Sequence, residues 1–118
     1  SKCIDACPGN ALSSEGLDAR KCLSYLTIEH RDKLPENIGE KMENTFYGCD
    51  RCIKACPHSR FSEPTQIDEF KPKEELLTMQ RKDWENLTKG QYDRLFADSA
   101  VERCGYEQLM RNIKSMND

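Results

Sequence analysis

The 118 residues are 36% hydrophobic and 33% charged, with a net charge of -3; such a chain supports one small domain, or a domain plus an extension, around a modest apolar core. The mild acidity argues against the strongly basic surface of a stand-alone nucleic-acid binder, and no apolar run approaches the length of a bilayer span. Seven cysteines are the obvious supplementary cross-links for so polar a chain; their odd number argues against a fully paired disulfide framework.

The opening stretch, "CIDACPGNAL" at 3–12, sets Cys3 and Cys7 four apart and follows the second with Pro8. Asp5, Pro8 and Gly9 break up these first residues, so a signal peptide is not expected there. A brief strand is expected near "GNAL". "GLDARKCLSYLTIEH" at 16–30 reads as one helix, with Asp18 as N-cap and Leu23, Leu26 and Tyr25 on an apolar stripe that also carries Cys22. "PENIGEKMEN" at 35–44 reads as one or two helical turns begun by Pro35. "CDRCIKACP" at 49–57 reads as a helical turn between cysteines, stopped by Pro57, with a second brief strand expected after it. "SEPTQIDEFKPKEE" at 62–75, with Pro64 and Pro72, is linker-like. Beyond it, Leu76, Leu77, Trp84, Leu87, Tyr92, Leu95 and Phe96 are expected packing residues, and Leu109, Ile113 and Met116 recur at helical spacing. The expected fold is therefore mainly α with short irregular or strand pieces: a ferredoxin-like two-cluster cysteine module over 1–62, a linker over 63–75 and a helical segment over 76–118.

Closely spaced thiols suit metal better than disulfides, because a short loop can turn several of them toward one centre, and the reducing cytoplasm, the expected location, keeps them as thiols. The bacterial-type pattern C-x2-C-x2-C-x3-C-P places three cysteines on one [4Fe–4S] cluster and sends the fourth across to another. Cys3 and Cys7-Pro8 fit the third and fourth positions of such a run, whose first two cysteines are expected before Ser1. Cys49, Cys52 and Cys56-Pro57 form the second run, with Cys22 as its displaced first member. Crossing the fourth cysteines gives cluster A from Cys7, Cys22, Cys49 and Cys52, all present, and cluster B from Cys3 and Cys56 with two ligands outside this chain. Zinc on the same thiols, disulfides, or no metal at all in this chain remain alternatives. Cys104 stands apart and reads as an ordinary buried thiol; His30 and His58 read as surface residues. Arg20, Lys21, Arg60, Arg103, Arg111 and Lys114 are weighed between phosphate contact and plain surface.

Three stretches in this order, "CIDACPGNAL", "LDARKCLSYLTIEH" and "GCDRCIKACPHSRF", followed by "RLFADSAVERCGYEQLMRNI", resemble the iron–sulfur portion of the epoxyqueuosine reductases. "ARKCLSYLTIEH" is the most specific of them, since generic ferredoxins have no reason to carry it. "PHS" at 57–59 departs from the Pro-Trp-Asn more usual in that family. The resemblance implies a two-cluster module joined to an upstream cobalamin-binding domain. It implies reduction of epoxyqueuosine to queuosine in tRNA, with electrons from an external donor, and ligand roles for Cys3 and Cys56 at one cluster and for Cys7, Cys22, Cys49 and Cys52 at the other. By itself the chain is then an incomplete oxidoreductase. The competing expectations are a ferredoxin-like electron carrier or subunit with no tRNA link, and a zinc-stabilised interaction module.

Overall fold

The computed structural model describes residues 1–116; positions 117 and 118 of the expected helical segment lie outside the described residues. Cys-Pro pairs end two of the short helices after a single turn. Helix α1 (Lys2–Ala6) ends where Cys7 turns extended before Pro8. An antiparallel hairpin follows, β1 (Leu12–Ser13) on β2 (Gly16–Leu17), with Leu12 opposite Leu17. The 16–30 stretch is not one helix. Asp18 caps a 3-10 turn at Ala19–Lys21, accepting from the Arg20 N–H at 3.1 Å. The chain then straightens at Cys22, the N-cap of α2 (Leu23–Ile28). The expected strand after Pro57 is instead a 3-10 turn, Pro57–Phe61, because Pro57 begins a new turn at its N-terminus.

Helices α3 (Ile38–Met42) and α4 (Arg51–Ala55) are single turns, α4 packing on α1. Then come α5 (Glu74–Thr78), α6 (Arg81–Glu85), α7 (Lys89–Leu95) and α8 (Tyr106–Ser115). Capping boxes start α6 and α7: Asp83 accepts from the Gln80 N–H at 2.8 Å, and Gln91 from the Thr88 N–H at 2.9 Å. These satisfy donors that a helix start otherwise leaves unpaired.

Among the described residues two apolar clusters form the core. Leu23, Leu26, Leu34, Ile38 and Met42 make one; Leu87, Tyr92, Leu95, Phe96, Cys104, Leu109, Met110 and Ile113 make the other. Phe46 and Met116 pack against both and join them. Leu109 and Ile113 are 0% and 1% exposed, each stabilising the fold by roughly 1.5–3 kcal/mol through burial. Of the expected packing residues, Leu77 is the exception at 71% exposed, and Tyr25 turns outward from the α2 stripe.

The polar face of α8 closes the C-terminal end of α2. The last carbonyls of a helix have no partner within it. Here Arg111 Nη2 donates to the Leu26 carbonyl at 2.8 Å, Asn112 Nδ2 to the Thr27 carbonyl at 2.8 Å, and Gln108 Nε2 to the Ile28 carbonyl at 2.9 Å. Arg111 Nη1 adds the carbonyls of His30 and Asp32 at 2.7 and 2.8 Å. The C-terminal segment is thereby fastened to the cysteine-bearing portion through α2.

Candidate metal centre

The local sequence "CI-x-A-CP" occurs twice, at 3–8 and 52–57, and the chain builds both copies alike. Cys7 and Cys56 are the residues after α1 and α4; each is extended and each donates its N–H back to an isoleucine carbonyl, Ile4 at 3.3 Å and Ile53 at 3.2 Å. The first copy then wraps round its own thiol. Asn10, at φ 53°, folds the backbone back, and the Ala11 N–H lies 3.3 Å from Cys7 Sγ. Burial raises the Cys7 pKa, but the N–H groups of Ala11, Leu12, Gly9 and Asn10 outweigh it and hold the thiol below its ordinary value. Donors aimed at a sulfur stabilise the thiolate, the form that binds metal.

A cavity of about 210 Å³ brings four cysteines together: Cys7 after α1, Cys22 at the start of α2, and Cys49 and Cys52 at the start of α4. Its other walls are mainly apolar, with Pro8, Ala11, Leu12, Leu17, Leu23 and Ile53 among them. Gly48, at φ 77°, and Asp50, at φ 63°, bracket Cys49 and set the sharp turn into α4. Gly9 fits against the next segment so closely that a Cβ there would collide with the Lys21 carbonyl, one residue before Cys22. Cys3 on α1 and Cys56 after α4 are half-buried and do not line this cavity; they lie on and beside the two helices that pack together.

A single tetrahedral zinc would draw its thiolates to about 3.8 Å from one another, from a Zn–S bond of ~2.3 Å. Among the described residues no three Cys, His, Asp or Glu side chains are grouped so as to hold one metal ion. A polynuclear cluster takes the same kind of thiolate donors, one to each iron. The donor set, the N–H groups on Cys7 and the apolar walls all fit an iron–sulfur cluster.

Cys104 is buried in the larger apolar cluster, and burial pushes its thiol up. His30 approaches the Lys33 carbonyl at 3.0 Å, and His58 is exposed. Neither lines the cavity. Arg103 pairs with Glu29, and Arg111 spends its N–H groups on carbonyls and on Asn112. Both belong to the fold, a use of these arginines that sequence spacing did not reveal.

Residues 1–59 match the family described as a 4Fe-4S double cluster binding domain, and the chain belongs to that family. Beyond that region too it is similar to epoxyqueuosine reductases, as the sequence resemblance led one to expect. It is 47% identical over 111 residues to the epoxyqueuosine reductase of Leadbetterella byssophila, covering 94% of this chain and 36% of that protein. With that of Cyclobacterium marinum it shares 41% over 113 residues, covering 95% and 36%. The solved structure of epoxyqueuosine reductase from Bacillus subtilis superposes with a TM-score of 0.85 at 28% identity, over 98% of this chain and 31% of that one. A structure of epoxyqueuosine reductase with an epoxyqueuosine-modified tRNA-Tyr stem loop superposes with a TM-score of 0.84 at 28% identity, over 98% and 31%. The chain thus spans about a third of the length of these relatives.

Proposed function

We propose that this chain is the electron-transfer portion of an epoxyqueuosine reductase, with its iron–sulfur clusters arranged as in a two-cluster ferredoxin. The observation that carries the proposal is the shared cavity of Cys7, Cys22, Cys49 and Cys52, drawn from separate places in the chain and matched in kind by the family. These four thiolates are the ligands of cluster A. Cys3 and Cys56 supply two ligands of cluster B, and two further cysteines complete it from outside this chain. A bound [4Fe–4S] cluster supplies one-electron transfer at a potential set by its surroundings.

The residues of this chain prepare that chemistry. N–H groups around Cys7 Sγ offset thiolate charge; apolar walls limit water; the turns at Gly9, Gly48 and Asp50 hold the sulfurs in place. In the whole protein the electrons serve a cobalamin-binding domain that reduces epoxyqueuosine to queuosine in tRNA, in the cytoplasm, and reach the clusters from a separate donor. The similarity to reductases along nearly the whole chain supports this over a free-standing carrier. The test is anaerobic reconstitution with iron and sulfide. Broad absorbance near ~400 nm with acid-labile sulfide is expected, and Cys22→Ala is expected to abolish cluster A. Uptake of zinc alone, or unchanged cluster content in Cys22→Ala, overturns the assignment.

A further inference from the structure

Two of the cavity's cysteines sit on opposite sides of one buried seam. Cys22 begins α2. Cys49 follows the 46–48 loop. Thr27 on α2 donates from Oγ1 to the Leu23 carbonyl at 2.8 Å and accepts the Gly48 N–H at 3.0 Å, immediately before Cys49. Asn112 of α8 spans the same seam: Nδ2 donates to the Thr27 carbonyl at 2.8 Å and to the Phe46 carbonyl at 2.9 Å. Its Oδ1 accepts from Arg111 Nε and Nη2 at 3.1 and 2.8 Å, which fixes which way the amide faces. Thr27 and Asn112 are 1% and 0% exposed. All the polar atoms of both side chains that are fully buried have partners.

We infer that Thr27 and Asn112 are positioning residues for the cluster cage, locking the Cys22 helix and the Cys49 loop into one unit. Neither side chain lines the cavity; they act through the backbone that carries the two thiols. Asn112 lies outside residues 1–59, so the matched cluster domain draws part of its rigidity from the C-terminal helix. The physical reason is the cost of disorder at a shared site. A cage whose ligands stand at fixed separation holds all four at once, whereas a loose seam lets one thiolate leave and exposes the metal to competitors. Buried, fully satisfied polar joints supply that rigidity, because opening them strands donors and acceptors away from water.

The role rests on the cluster reading, and the test separates the two. Iron release from anaerobic holoprotein to a chelator is timed alongside the electron-spin spectrum of the reduced protein. Thr27→Val keeps the shape and deletes the hydroxyl; Asn112→Leu deletes the amide bridge. Each is expected to release iron about tenfold faster than wild type and to shift the spectrum, with Thr27→Ser restoring wild-type behaviour. Gln108→Leu severs a different α8-to-α2 bond, to the Ile28 carbonyl, and leaves the 46–48 loop untouched; it is expected to lower Tm at wild-type release. Wild-type release in Thr27→Val and Asn112→Leu, or equally fast release in Gln108→Leu, overturns the positioning role alone. A wild-type protein that takes up no iron and sulfide overturns the cluster reading and this role with it.

Discussion

The carbonyl of Lys21 occupies the space where a side chain on Gly9 would project. Gly9 follows the first Cys-Pro pair and Lys21 precedes Cys22, so this contact sets how closely the third chain segment closes over the first. Gly9→Ala must push the 3-10 turn outward and carry Cys22 away from Cys7. The expected result is a loss of about 1–3 kcal/mol in stability, the range for overpacking a tight site, together with lowered cluster A content. Iron and sulfide analysis with chemical denaturation measures both.

Serine substitutions sort the cysteines. Replacement of Cys7, Cys22, Cys49 or Cys52 is expected to remove one cluster's iron, and replacement of Cys3 or Cys56 to remove the other's. Cys104→Ala leaves both in place, since Cys104 sits in the apolar cluster well inside the helical segment. Iron per chain, measured variant by variant on the holoprotein, decides the partition. Equal losses from every cysteine would refute two separate ligand sets.

Gly39 offers a contrast to Gly9. A Cβ at this position would strike the Ser115 carbonyl at the end of α8, and neither residue lines the cysteine cavity. Gly39→Ala is expected to destabilise the protein by about 1–3 kcal/mol while a folded fraction keeps its full complement of iron. Differential scanning calorimetry beside iron analysis checks the separation.

Leu109 is fully enclosed among Tyr92, Leu95 and Ile113. Leu109→Ala leaves a cavity and is expected to cost about 2–5 kcal/mol, as buried leucine truncations do. Denaturant midpoints measure it. Leu77→Ala, at an exposed site, is expected to fall within about 0.5 kcal/mol of wild type.

The Arg103 guanidinium beside Glu29 holds its carboxyl below the ordinary glutamate value of 4.5. A pKa depressed in the folded state contributes stability that is present above 4.5 and lost as pH falls through the lower folded-state value. Glu29→Gln therefore lowers Tm at neutral pH, and the difference from wild type closes on acidification. Arg103 is well exposed and Glu29 partly so, so the effect is small and shrinks further in high salt. Thermal melts across pH 2 to about 7 resolve it.

The sequence made several elements legible. Period-four apolar residues placed α8, with Leu109 and Ile113 inward as expected, and Pro57 ended the α4 turn. It misread 16–30 as one helix, since nothing local distinguishes a 3-10 turn followed by an extended cysteine from continuous helix. The polar positions 108, 111 and 112 look like the solvent side of α8. Their true role, closing the end of α2, depends on an element some 80 positions away, and no window of sequence contains both.

Cysteine number, type and spacing were enough to propose the ligands, because a thiol's affinity for iron and the reach of a three- or four-residue turn are local properties. The spacing also proposed which thiols go together; how the chain brings Cys7, Cys22, Cys49 and Cys52 to one cavity was a matter for the tertiary structure. Distance between Cys7, Cys22 and Cys49 is governed by backbone packing at Gly9 and by hydrogen bonds from Thr27 and Asn112. Those contacts come into being only when remote segments meet and exclude water.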